Sequence, residues 1–176
     1  MKIGIYGQFY HKNSEQYIQI ILDSLRKKEH EVLIEEDFMD IINHNDGVDT
    51  TSHFKTFTQL DSSYDFFFSI GGDGTILKSI TYVQDLDIPI VGINTGRLGF
   101  LATIQKEDIA KSINQILQGE YSVSERSLLQ LTSEPHNPEL SNLNFALNEV
   151  AINRKNTTSM IKVDTEVDDK YLTSYW

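Results

Sequence analysis

Residues 64–75 run from a nearly unbroken apolar stretch, Tyr-Asp-Phe-Phe-Phe-Ser-Ile, straight into Gly71-Gly72-Asp73-Gly74-Thr75. An apolar run without alternation belongs to a strand covered on both faces, the situation of a parallel sheet flanked by helices. Ile76, Leu77, Ile80 and Val83 then recur at helical spacing, so a helix begins just past the glycines. Glycines there let backbone approach a ligand closely, and the helix start offers unpaired N–H groups and a partial positive charge to a phosphate. The corner is not a P-loop, because Ile76 and Leu77 stand where a second glycine and a lysine are required. Nor is it the dinucleotide fingerprint, since Gly4 and Gly7 after the first strand make no GxGxxG.

The same logic orders the rest of the chain. Residues 1–7 read as a buried strand, 14–28 as a helix carrying Tyr17, Ile18, Ile21, Leu22 and Leu25, and 31–35 as a second strand. An acidic, weakly periodic stretch to about Ser63 reads as short helix and loop. Residues 88–93 read as a short buried strand, and 106–118 as a helix stopped by Gly119. Beyond Gly119 alternation replaces helical period, over 127–132, 145–154, 160–167 and 171–176, with Asp168-Asp169 as a hairpin turn. The expectation is an α/β domain with a mostly parallel sheet over 1–122, followed by the start of an all-β domain over 123–176. Three or four strands are few for a self-sufficient β domain, so a truncated one is expected.

Charge and composition narrow the function classes. With 15 Lys and Arg against 26 Asp and Glu, the net charge of −11 repels phosphate backbones and anionic lipid, which weighs against nucleic-acid and membrane partners. A phosphorylated ligand must then be held locally, by backbone N–H groups or a divalent cation. The absence of cysteine excludes disulfides, thiolate metal sites and thiol nucleophiles. The five histidines are scattered without an i, i+4 pair, and the acidic run over 35–49 reads as a solvated loop rather than a metal site. The N-terminal apolar run is too short for a signal peptide, and no window reaches the length of a membrane span, so a cytoplasmic location is expected.

Asp73 is the odd residue of the first corner. A carboxylate in a phosphate site is repulsive unless it binds a metal or faces a hydroxyl that must lose a proton, and either use is catalytic. The local alternative is that Asp73 only caps the helix. A second Gly-rich loop, Asn94-Thr95-Gly96-Arg97-Leu98-Gly99-Phe100, follows the next strand and could face the same crevice. Asn94 offers hydrogen bonds, Arg97 a phosphate contact and Phe100 an apolar face for a base; the plain alternative is a turn with a surface arginine. Inside Phe145–Ile152, Asn148 and Glu149 interrupt the apolar rows of a strand and need partners if buried, whereas on an edge strand both would be solvated.

Taken in order, Gly71-Gly72-Asp73-Gly74-Thr75, Asn94 to Leu101 and Asn148-Glu149 resemble the NAD kinase family, over essentially the whole chain. The resemblance implies a Rossmann-like, phosphofructokinase-like first domain and a β-sandwich NAD-binding domain after it. It implies transfer of the ATP γ-phosphate to the 2′-hydroxyl of the adenosine ribose of NAD, giving NADP, with Mg²⁺ on the donor and in some members polyphosphate as donor. Asp73 would accept the hydroxyl proton, Gly72 and Gly74 would keep backbone close to the diphosphate, and Phe100 would line the adenine pocket. Asn148 and Glu149 would hold adenine and ribose, with Asn94 and Lys78 as further contacts. Homodimers or tetramers are implied as well. Thr95 departs from the pattern, since many relatives carry Arg there. The family also continues past Trp176 with segments that complete the sites, so this length alone is expected to be nearly inactive. GGDG by itself is shared with lipid and sugar kinases, which leaves such a kinase, or a nucleotide-binding module without catalysis, as alternatives.

Overall fold

The computed structural model describes residues 1–8, 14–26, 30–45, 47–49, 54–96, 99–140, 143–155 and 159–176. They form two units, Met1–Glu125 and Arg126–Trp176. The first contains β1 (Lys2–Gly7), α1 (Glu15–Arg26), β2 (Glu31–Glu35), α2 (Glu36–Asn43), β3 (Lys55–Phe57), β4 (Phe66–Ile70), α3 (Asp73–Val83), β5 (Ile90–Asn94), β6 (Ile104–Gln105) and α4 (Ile109–Leu117). The six strands pair in parallel in the order β3-β2-β1-β4-β5-β6. Strand order reverses between β1 and β4, and in open α/β sheets the crevice outside the strands' carboxyl ends at such a point is where ligands bind. The Gly71–Thr75 corner leaves β4 at that place.

The triple phenylalanine of β4 explains why both faces of the sheet must be covered. Phe66, Phe68 and Ile70 project to one side, where they join Ile3, Ile5 and Ile34 under the buried stripes of α1, α2 and α4. Phe67 points the other way, into a cluster with Tyr6, Leu33, Phe57, Tyr64 and Val83 of α3. α1 buries Ile18, Ile21, Leu22 and Leu25 at the expected spacing. α4 buries Ile109, Ile113 and Ile116, and ends where Gly119, at φ 82°, turns the chain so that its N–H reaches the Ile116 carbonyl at 3.0 Å and the Glu120 N–H reaches Gln115 at 2.9 Å.

Some expectations need correction. The short edge strands β3 and β6 carry too few residues to show a pattern and were not expected; α4 begins three residues later than its periodicity suggested, after a turn over 106–108. The acidic stretch does hold a short helix, as read, but Glu35 at its start is not solvated. Glu36–Asn43 is helical with Phe38 and Ile42 buried, and Glu35 is itself buried. Its carboxylate accepts the Phe38 N–H at 2.9 Å, capping α2, and the Tyr82 hydroxyl at 3.3 Å. Burial first, then Tyr82 and Glu35, push the neighbouring Tyr6 hydroxyl up to about 12, so it stays neutral.

In the second unit β7 (Leu129–Gln130) pairs antiparallel with β8 (Phe145–Ala146), and β9 (Val163–Val167) with β10 (Lys170–Tyr175). Asp168 and Asp169 both take positive φ, 51° and 60°, the two-residue hairpin turn that the sequence indicated. The strands expected over 127–132 and 145–154 shrink to two-residue ladders. Alternation shows that a segment can be a strand; a ladder also needs a neighbour, and among the described residues none pairs with 147–154.

Packing at the end of β1 gives a stability prediction. A Cβ on Gly7 would run into the Phe38 ring. Gly7→Ala should therefore lower the urea midpoint by the equivalent of about 1–3 kcal/mol without changing the slope. An unchanged midpoint would mean that the ring can move aside at no cost.

Candidate functional site

The corner after β4 is built from the requirements of its backbone. Gly71 sits at φ 151°, where L side chains are strained, and the Thr75 side chain fills the space a Cβ would need. The Gly71 N–H is held by the Ile93 carbonyl at 2.9 Å, which ties the corner to β5. Gly72 is the N-cap of α3; its carbonyl accepts the Thr75 and Ile76 N–H groups, and no side chain caps the helix start. Around Gly72 and Gly74 a Cβ would meet nothing within 4 Å. These two glycines face open space, so a ligand could reach their backbone.

Asp73 does not cap its helix. One carboxylate oxygen accepts the Phe100 N–H at 2.7 Å, and the other accepts the Leu101 N–H at 2.9 Å and the Ala102 N–H at 3.3 Å. Gly99 lies so close that any Cβ there would strike the carboxylate. The Phe100 N–H first, with those of Leu101 and Ala102, holds the Asp73 carboxyl below its ordinary range. A carboxylate offers about four acceptor sites, so roughly one stays available to a ligand.

The other expected residues divide by position. Asn94 is buried at the end of β5, and its side-chain oxygen accepts the Gly96 N–H at 2.8 Å, so it shapes the loop it begins. Phe100 is 94% exposed, yet its own N–H is pinned by Asp73. Lys78 is exposed on α3, five residues after Asp73 and so about 140° around the helix from it. Asn148 and Glu149 are exposed in the second unit. Arg97 and Leu98 lie outside the described residues. The structure thus brings Gly72, Asp73 and Gly74 together with Phe100 on the Asn94 loop.

Sequence reasoning missed two things. The Asp73 clasp joins residues 27 to 29 positions apart through backbone amides, which leave no mark in residue type; only Gly99 hinted at close approach. A cleft of about 800 Å³ at the head of α1, lined among others by Ser14, Tyr17, Thr95 and Lys106, draws on separate segments with no common motif.

The lowered Asp73 pKa fixes the sign of a pH effect. A carboxyl depressed on folding contributes stability above its unfolded pKa, and that contribution is lost as pH falls through the folded value. The stability difference between wild type and Asp73→Asn should be constant near neutral pH and shrink in the acid range below the ordinary aspartate pKa, read by denaturant melts at several pH values. A difference that does not change with pH would mean that the charge of Asp73 contributes nothing.

Comparison with known proteins gives the family and the fold. Residues 3–121 match the family profile described as ATP-NAD kinase N-terminal domain. The chain is 58% identical over its whole length to an NAD kinase of Christiangramia forsetii, 45% to one of Flavobacterium johnsoniae and 41% to one of Cytophaga hutchinsonii, and it spans 60% of the length of each. The crystal structure of yeast NADH kinase complexed with NADH superposes with a TM-score of 0.74 at 18% identity, covering 98% of this chain and 54% of that one, a likeness of fold. A profile match over most of the chain, joined to the Gly71–Thr75 corner and its clasped loop, makes this protein a member of the ATP-NAD kinase family.

Proposed function

We propose that the protein transfers the γ-phosphate of ATP to the 2′-hydroxyl of the adenosine ribose of NAD, giving NADP and ADP. The observation that carries this reading is the ionised Asp73 at the sheet's reversal point, beside two glycines with open space around them. Relatives named NAD kinase at up to 58% identity support it.

In the proposed reaction the ribose 2′-oxygen forms a bond to the γ-phosphorus, the bond from that phosphorus to the bridging oxygen breaks, and the hydroxyl proton passes to Asp73 and then to solvent. A carboxyl held below its ordinary range is a weak base, which suits phosphoryl transfer: the transition state is loose, and positioning and charge matter more than early proton removal. The remaining acceptor site of Asp73 would orient the hydroxyl. Backbone at Gly72 and Gly74 would approach the diphosphate, and the exposed Phe100 ring would cover adenine. Asn148 and Glu149 of the second unit would supply contacts to adenine and ribose, with Asn94 and Lys78 in lesser roles.

A divalent cation such as Mg²⁺ would arrive on the donor phosphates. Among the described residues no group of three His, Asp or Glu side chains is placed to bind it, so no protein ligand is assigned. The reading includes a cytoplasmic location and a homodimer or tetramer.

Two variants of the full-length protein test the proposal, with NADP formation from NAD and ATP-Mg²⁺ as the assay. Asp73→Asn should lower kcat by about 10² to 10⁴-fold while NAD still binds. Gly74→Ala, in the first turn of α3 with free space around it, should leave stability unchanged or raise it by up to about 1 kcal/mol, yet reduce turnover by crowding the substrate. Absence of NADP from wild type would refute the proposal, and normal turnover by Asp73→Asn would refute the role of the carboxylate.

A further inference from the structure

Gly92 stands in the middle of β5, where a glycine weakens a strand and often marks a place that another backbone approaches closely. It is buried, and it pairs in register with Ser69 of β4 on the sheet face that α3 covers. Ile76 and Ser79, three residues apart on one face of α3, rest on this pair. A Cβ on Gly92 would lie 2.5 Å from Ile76 Cδ1 and 3.0 Å from the Cα of Ala102. The first obstacle is the far end of a side chain and can turn aside; the second is backbone. At Gly92, then, β5 meets both the helix that carries Asp73 and the residue whose N–H is the third donor to its carboxylate. That bond, at 3.3 Å, is the longest of the three, and a further few tenths of an ångström would break it.

What holds each neighbour decides which one would give way to a side chain at 92. α3 is tied to the sheet through Ser79, whose Oγ lies 2.8 Å from the Ser69 hydroxyl and 2.9 Å from the Thr75 carbonyl, with both serines fully buried. Directional bonds of this kind resist sliding of the helix, which apolar contact by itself does not. Ala102 is held by Asp73 and by β6, two residues long at the edge of the sheet. The loop is the weaker side.

We propose that Gly92 is a positioning residue: its missing side chain lets Ala102 close on Asp73, which completes the clasp and fixes the carboxylate for phosphoryl transfer. The effect on rate rests on the reaction proposed above, whereas the clasp itself can be followed without turnover.

Two variants of the full-length protein separate this role from plain packing, read by NADP formation and by the acid titration of the backbone amides of residues 100–102 in NMR. Gly92→Ala should lower kcat by about tenfold with the NAD KM nearly unchanged, and should shrink the acid-dependent shift of the Ala102 amide while those of Phe100 and Leu101 persist. Gly92→Ala combined with Ile76→Val removes the Cδ1 obstacle and leaves the one at Ala102. Its urea midpoint should therefore recover toward that of Ile76→Val, while kcat and the Ala102 amide stay altered. Full recovery of kcat and titration in the double variant would mean that Gly92 only makes room for Ile76, and normal kcat and titration in Gly92→Ala would equally overturn the proposal. If Gly92→Ala alone does not fold, the double variant carries the same readouts against Ile76→Val. If wild type makes no NADP, the reaction fails, and the Ala102 titration still decides whether Gly92 positions residue 102.

Discussion

Three backbone N–H groups converging on the Asp73 carboxylate hold the site together. Without that carboxylate, residues 99–102 would be an irregular turn with amides to satisfy and nothing to fix their direction. The pairing of β4 with β5 puts Ile70 opposite Ile93, so the Gly71 corner and the Asn94 loop leave the sheet side by side. The clasp turns that adjacency into a fixed geometry. It also demands glycine at 99, because the carboxylate occupies the space of a side chain. An exposed phenylalanine thereby gains a defined position through its backbone.

In the proposed reaction the same interaction would set what the carboxylate can do. Charge-assisted N–H bonds keep Asp73 ionised, which suits orienting a hydroxyl better than abstracting its proton early. A chain of net charge −11 cannot attract phosphates by its overall field. Anion binding must come from local donors, and around Gly72 and Gly74 the backbone has open space in which to offer them. The two glycines follow β4 at the carboxyl end of a parallel sheet, where helix N-termini gather.

Much of this was legible in the sequence because local pattern and global structure agree. Phe66 to Phe68 demanded a strand covered on both faces, and α3 and the opposing helices provide the cover. Gly119 and Asp168-Asp169 marked a helix end and a hairpin by their backbone preferences. What escaped was long-range or depended on neighbours. The Asp73 clasp uses main-chain donors that any sequence possesses. Glu35 looked like part of a solvated acidic run, but it is buried because it satisfies α2 and Tyr82 at once. Residues 147–154 alternate as a strand should and lack a described partner to pair with.

The clasp can be read directly from the amide protons it engages. In an NMR pH titration of the full-length protein, the N–H resonances of Phe100, Leu101 and Ala102 should move together, with one apparent pKa below that of an ordinary aspartate, and the movement should vanish in Asp73→Asn. Three amides that do not respond to acid, or that titrate independently in the ordinary carboxylate range, would contradict the account.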